Sequence, residues 1–315
     1  MQTVSDTLGF SGNDDEPVRY IERTHAWYEA LGTQNPYRYA SYADVPFSPL
    51  SKPLSQSRVA LLTTAAPFDP SKGPQDCKAP YNASAKFYAV YSGDTSLEHD
   101  LRVSHVSVDR QHLTDDSNCW FPLPALRRAH RKGLIGSIAR RFHGVPTNRS
   151  QRHTLQIDGP EVLRRCQEDQ VDAAILVANC PVCHQTMSLV SRHLEAHGIA
   201  TVLMGAAKDI VEKCGVARFL FSDFPLGNAA ARPMDAASQD STLALALSLL
   251  ERAFAPRTTV QNPLRWTLNP KWRHDYLNLS QLKPEELAQR REEFLQSKSI
   301  AQSVRDESLK RKSAS

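Results

Sequence analysis

The feature that most constrains this chain is an alternation in its second half. Short, continuous apolar runs at Val171–Ala178, Ile199–Met204 and Ala217–Phe221 are separated by stretches of helical pattern. Apolar runs without polar alternation suit strands buried on both faces, and a helix between successive runs makes each pair a βαβ unit. Helices are expected from about Gly159 to Gln170, Cys183 to His197, Ala206 to Cys214 and Gln239 to Phe254. Gly198 and Gly215 follow two of them as stop signals. Right-handed βαβ connections then require a parallel sheet. The expected fold is α/β, with a doubly wound, Rossmann-like core built as one domain or as two similar halves.

The first half is less regular. Val59–Thr64 is a continuous apolar run and the first convincing strand, and Leu101–Val108 alternates and is expected as another. Pro122–Gly133 and Leu134–Phe142 are expected as short basic helices, while the stretch around Phe87–Tyr91 has no clear assignment. A helix is expected over Val18–Leu31, followed by an extended linker set by Pro46, Pro49 and Pro53. The chain thus divides into an N-terminal extension (1–57), a first α/β half (58–150), a second half (151–270) and a C-terminal helix and tail (271–315). The last helix is expected from about Pro284 to Ser297, highly charged, packing on the surface or on a partner subunit.

Charge and hydropathy remove several classes. The 38 basic and 34 acidic residues leave a net charge of +4, spread along the chain, which argues against nucleic acid as a partner. Lys310–Lys312 is expected as a solvated tail. No run approaches the roughly 18 to 20 apolar residues of a membrane span. Met1–Asp15 is polar and acidic, without the basic start and apolar run of a signal peptide, so no membrane association and a cytoplasmic location are expected. Six cysteines are too few for a disulfide scaffold. In a reducing compartment a close pair is catalytic, redox-active or metal-binding.

That pair is Cys180 and Cys183, within Asn179-Cys-Pro-Val-Cys-His184. It falls between a strand and the following helix, where open α/β sheets bind ligands. Backbone N–H groups and the helix dipole favour thiolate there. Two thiols three residues apart close a disulfide reversibly, so one can resolve what the other attacks. The rival readings are two small buried residues, or half a zinc site completed from His184, His193, His197, Cys166 or Cys214. No second pair has the usual zinc spacing, so metal ranks below thiol chemistry. Three further groups are candidates. His105 with Asp109 could orient substrate or shuttle protons, though composition alone favours a hydrogen-bonded structural histidine and an acidic turn. Asp223, Gly227 and Asn228 form a loop able to line a pocket, and Thr63 and Thr64 offer hydroxyls at a strand end. His184 is a candidate for substrate contact beside the pair.

Together these pieces resemble the selenoprotein B family of glycine, sarcosine and betaine reductases and D-proline reductase. The resemblance runs from about Val59 to Trp266. It is carried by Val59–Ala65, by Arg102-Val-Ser-His105 with Asp109, and by Phe121–Leu126 with Ile135-Gly-Ser137. It is strongest at Cys180–Met187 and continues through Asp223–Asn228 and Thr258–Val260. It implies reductive cleavage of a carbon–nitrogen bond, with a selenol or thiol attacking the carbon that bears nitrogen. The D-proline reductase pattern places the selenol at Cys183, and the glycine reductase pattern places it at Val177. This chain carries no selenocysteine and no obvious self-cleaving segment to yield a pyruvoyl group, and Ser107 stands where relatives are expected to carry histidine. A pyruvoyl group would then come from a partner subunit. The expectation is an oxidoreductase acting on a small amino-acid-like substrate, with Cys183 as nucleophile, Cys180 as resolving thiol and an external dithiol reductant protein. A homo-oligomer or a partner subunit is expected. The alternatives are a non-catalytic or redox-sensing subunit of a complex, and a metal-binding protein.

Overall fold

The computed structural model describes residues 16–33, 37–103 and 105–313, with side chains to residue 307. The readings of Met1–Asp15 and of the Lys310–Lys312 side chains lie outside the described residues. The strands are β1 Arg58–Thr63, β2 Ala66–Pro67, β3 Tyr91–Asp94, β4 Leu101–Arg102, β5 Ser137–Ile138, β6 Arg141–Gly144, β7 Ala173–Val177, β8 Ala200–Gly205, β9 Arg218–Phe221 and β10 Thr258–Gln261. The α-helices are α1 Tyr20–Ala30, α2 Leu123–Arg131, α3 Gln151–His153, α4 Gly159–Glu168, α5 Pro181–Glu195, α6 Lys208–Cys214, α7 Ala236–Arg252 and α8 Pro284–Ser313. A π-helical turn, Thr154–Asp158, joins α3 to α4.

The main sheet has the order β10-β9-β8-β7-β1-β6-β3, with β5 beside the start of β1. Its pairs are parallel except β3 with β6. The α/β class with a mostly parallel core is therefore as the sequence indicates. β7 and β8 are wholly buried, as their unbroken apolar runs require. On one face α4, α5 and α6 pack together, and on the other α2 packs with α7. Residues 58–150 and 151–270 contribute strands to one continuous sheet, joined where β1 pairs β7 from Val59 with Ala173 to Thr63 with Val177.

This pairing places the site. After β1 the chain builds β5 and β6 on one side, then crosses to lay β7 on the other. The connections leave the ends of β1 and β7 in opposite directions, and that divergence opens a crevice at the carboxyl edge.

Two expectations are corrected. Leu101–Val108 is not one strand: only Leu101 and Arg102 pair, antiparallel to β2. Leu101 and Val103 are buried, but farther on the backbone bonds to itself, Val108 N to His105 O and Leu113 N to Asp109 O, so the alternation reflects turns over the core. Leu134–Phe142 is not a helix but holds β5 and the start of β6. Gly136 N donates to the carbonyls of Leu54 and Ser57, and Arg58 pairs with Ser137. The open flank of β1 thus captures a segment whose local composition also suits a helix, tertiary pairing overriding propensity.

The segment before β1 is fixed to the sheet by a buried ion pair. Glu195 and Arg218 are 2.9 Å apart with no exposed side-chain surface. Glu195 accepts from Ser48 N at 2.5 Å, and Arg218 donates to Ser48 O at 2.9 Å. The extended linker expected from its prolines is therefore tied down by charge deep in the core.

Candidate functional site

Helix α5 begins at Pro181, where proline's fixed φ suits the first turn. Cys180 is its N-cap, in extended backbone, and Cys183 N donates to Cys180 Sγ at 3.3 Å. A cysteine thus does the capping usually done by Ser or Asp. The same turn brings Cys183 Sγ to 2.7 Å from Cys180 Sγ. Cys180 is 3% exposed and Cys183 is fully buried.

His105 and Thr64 close the other side. His105 Nε2 donates to Thr64 O at 3.0 Å, which directs the ring's second nitrogen away from that carbonyl. Thr147 Oγ1 lies 3.4 Å from His105 Nδ1. The donor atoms of His105, Cys180 and Cys183 all lie within 4.8 Å of one another. Asn179, at the end of β7, donates to Thr64 Oγ1 at 3.0 Å and so ties β7 to the end of β1. Its own side-chain oxygen has no partner among the described residues, a costly state for a buried acceptor. Burial pushes the Cys183 thiol up, but the neighbouring Cys180, the electrostatic influence of His105 and the nearby Thr64 outweigh it and hold Cys183 well below an ordinary thiol. Burial and the adjacent Cys183 push Cys180 well above.

A small cavity of about 30 Å³ reaches this group, lined by Tyr81, Lys86, Thr147 and Arg149 with His105 and Cys180. Cys180 forms the wall, and Cys183 is not among the lining residues.

The remaining candidates fall elsewhere. Thr63 Oγ1 donates to Trp120 O at 3.1 Å, and only Thr64 turns toward the thiols. His184 is fully buried with both ring nitrogens engaged: Nδ1 donates to Cys180 O at 2.8 Å, and Nε2 accepts from Ala206 N at 2.8 Å and Ala207 N at 3.1 Å. Burial lowers its pKa to about 4, so the ring is neutral and pins the α5 start to the end of β8. Gly205 permits this, because a Cβ there would lie 2.7 Å from the ring. Asp109 Oδ1 accepts from His112 N at 3.3 Å, and Oδ2 has no partner among the described residues. Asp223 pairs with Arg273 at 2.5 Å. Asn228 donates to His112 O at 3.1 Å, and Gly227 turns at a φ of +95° with Leu113 in the space a side chain would need. Asp109, Gly227 and Asn228 thus form a second group around the His112 loop, away from the thiols' immediate contacts.

Sequence reading missed Arg149, Lys86 and Tyr81. They lie in irregular segments without a motif. The one local oddity, the left-handed backbone of Arg149 at a φ of +53°, is visible only in three dimensions. Arg149 donates to Tyr28 Oη, and its guanidinium sits 4.9 Å from that ring's centre.

The family model for glycine/sarcosine/betaine reductase selenoprotein B matches residues 32–179, ending one residue before Cys180. The chain is 30% identical to D-proline reductase subunit gamma of Acetoanaerobium sticklandii over 59% of its own length and 75% of the relative's. It is 24% identical to the glycine reductase complex component B subunit gamma of Symbiobacterium thermophilum, over 62% of this chain and 46% of that one. It is also 24% identical to the sarcosine reductase complex component B subunit beta of Peptoclostridium acidaminophilum, over 56% and 40%. No solved structure matches. The chain belongs to the selenoprotein B family, whose named members here are subunits of reductases, and it spans less than half the length of the glycine and sarcosine reductase subunits. No helix among the described residues is long and apolar enough to cross a membrane.

Proposed function

We propose that the chain is a thiol-dependent reductase subunit that cleaves a carbon–nitrogen or related carbon–heteroatom bond of a small amino-acid-like substrate. The observation that carries this is the pair of sulfurs 2.7 Å apart at the mouth of the β1–β7 crevice, with His105 against them. Only a thiolate attacks, so ionisation favours Cys183 as the nucleophile, although Cys180 is the sulfur at the cavity wall. The Cys183 thiolate forms a C–S bond as the C–N bond breaks, and the amine leaves with a proton, delivered through His105. The Cys180 thiolate then attacks Cys183 Sγ. An S–S bond forms, the C–S bond breaks, and the released carbon takes a proton. The substrate gains two electrons and the thiol pair loses two. A dithiol reductant protein returns them. A partner subunit would supply the pyruvoyl group, the electrophilic carbonyl that the family chemistry calls for. A cytoplasmic setting and an oligomeric assembly belong to the same proposal.

Alkylation by iodoacetamide against pH, with the labelled residue found by mass spectrometry, tests it. Labelling of Cys183 with an apparent pKa well below the ordinary value of about 8.5, together with oxidation to an internal Cys180–Cys183 disulfide, is expected. Two thiols titrating as ordinary ones would remove the proposal.

A second reading rests on the same triad. Two thiolates and one imidazole are common zinc donors, and His105 already donates one ring N–H to a backbone carbonyl, as metal-bound histidines do. In that reading the fourth position faces the cavity and the protein binds metal instead of cycling a disulfide. One equivalent of zinc retained through purification without chelator, and no disulfide on mild oxidation, would favour it.

A further inference from the structure

Beside the small cavity at the thiols lies a much larger one of about 560 Å³. Tyr81, Lys86, Val106 and Arg149 line both, so the two adjoin. The walls of the larger space come from three distant parts of the chain: residues 81–88, residues 148–157 around α3, and the face of α8 from Phe294 to Arg305. Helix α8 is laid over it by specific contacts. Arg291 Nε donates to Ala30 O at 2.6 Å, Tyr88 Oη donates to Ala301 O at 2.7 Å, and the Phe294 and Tyr28 rings are 5.8 Å apart.

Lys86, Arg149, Arg152, Lys298 and Arg305 line this vestibule, and none of the described lining residues is Asp or Glu. The whole chain balances 38 basic residues against 34 acidic ones, so such one-sidedness does not follow from composition. The cations crowd one another: burial, then Arg149, lowers the Lys86 pKa to about 8, and Arg305 adds to the effect. Between the charges stand Tyr88, Ile157, Phe294 and Ala301, which give the space apolar walls. A concave, low-dielectric site of one sign concentrates ions of the other, and arginine forks match carboxylate, sulfonate or phosphate oxygens. The volume falls in the range of roughly 300–1,000 Å³ typical for drug-sized organic ligands, more than a free amino acid fills.

We propose that the α8-roofed vestibule binds an organic anion, an apolar body bearing acidic groups and larger than a free amino acid, and delivers one end of it to the thiol pair. The delivery rests on the function proposed above, whereas the binding does not. Arg152 and Lys298 contribute from opposite walls, one beside the π-turn and one on α8. The substrate class of the reductase thereby shifts from a free amino acid to a larger anionic compound carrying the bond to be cleaved.

The full-length protein is titrated with 8-anilinonaphthalene-1-sulfonate, a fluorescent anion with an apolar body, and with the uncharged N-phenyl-1-naphthylamine. Iodoacetamide labelling of Cys180 and Cys183 is followed at saturating sulfonate. Saturable binding at one site is expected, weakened about tenfold or more in the double variant Arg152→Glu, Lys298→Glu, since loss of one charge-assisted contact already reaches that scale. The uncharged probe should bind the double variant and the wild type alike. Far-ultraviolet circular dichroism and thermal melting confirm that the double variant is folded. The sulfonate should also slow thiol labelling. Absence of saturable binding, equal loss of both probes in the variant, or labelling unaffected by bound sulfonate each overturns the inference. The double variant Cys180→Ser, Cys183→Ser separates the two proposals, because it should bind the sulfonate as the wild type does. If the thiols prove inert in the wild type while charge-dependent binding persists, the reductase reading fails and the anion site stands.

Discussion

Two groups of polar side chains, both following sheet strands, invite comparison. At the ends of β1 and β7, Thr64, Asn179, Cys180, Cys183 and His105 face one another beside a cavity. After β9, Asp223 is held by Arg273, the Asn228 amide by backbone carbonyls, and Asp109 by the turn at His112. The sequence gives the second group as much chemistry as the first, a carboxylate and a Gly-Asn turn against two thiols. Position separates them. The first lies where the sheet's connections diverge and leave a crevice, and in the second the neighbouring loops fold back and take up much of the hydrogen bonding. A reactive composition at a strand end is therefore not enough, and the strand order has to leave room beside it.

The largest expected effect tests that contrast directly. Cys180→Ser and Cys183→Ser should each reduce turnover by about a thousandfold or more, because residues acting as one unit fail together. The readout is dithiothreitol oxidation driven by a candidate substrate, with partner subunits present. Full activity in either variant would end the role of that residue. Next, His105→Gln should raise the Cys183 thiol, since the imidazole is among the groups that hold it down. Iodoacetamide labelling at pH 7 should then slow, by about tenfold for each unit that the pKa comes to lie above 7. Unchanged labelling would place the stabilisation in Thr64 and Cys180 alone.

The second group should respond through stability. Burial raises Asp109 from 3.8 to about 6, with Asp275 adding to it and His112 opposing. The folded state then holds the Asp109 proton more tightly than the unfolded chain. The stabilising share of this group is complete below about pH 4 and is lost as pH rises through about 6. Asp109→Asn should therefore stabilise the protein at pH 7 by about 1–3 kcal/mol and flatten its dependence on pH between 4 and 6, measured by urea denaturation. Turnover in the same variant sharpens the comparison, because a proton shuttle would lose it and a buried structural acid would not. The smallest effect is at Asp223→Asn, which weakens the pair with Arg273 and should cost about 1 kcal/mol. A loss of activity larger than that destabilisation explains would return Asp223 to the site.

Much of this was legible before any coordinates. The unbroken runs that became β7, β8 and β9 can only be strands buried on both faces, and the helices between them fix the parallel sheet. Cys180 was legible as well, because a proline after it and a strand before it place it at a helix start. Elsewhere local pattern misled. Leu134–Phe142 carries no signal that β1 has an open flank, and Leu101–Val108 alternates although only Leu101 and Arg102 pair as strand.

The sequence alone determined the class of sheet, the position of the thiol pair and the family, because each is encoded within short windows or in residue order. Tertiary structure decided which other groups the thiols meet. His105, Arg149 and Lys86 reach the crevice from irregular segments, and α8 roofs it from more than 100 residues beyond Cys183. Such contacts depend on the strand order and on loops closing across it. Neither has a local periodicity to read, so the shape and charge of the cavity could be known only from the folded chain.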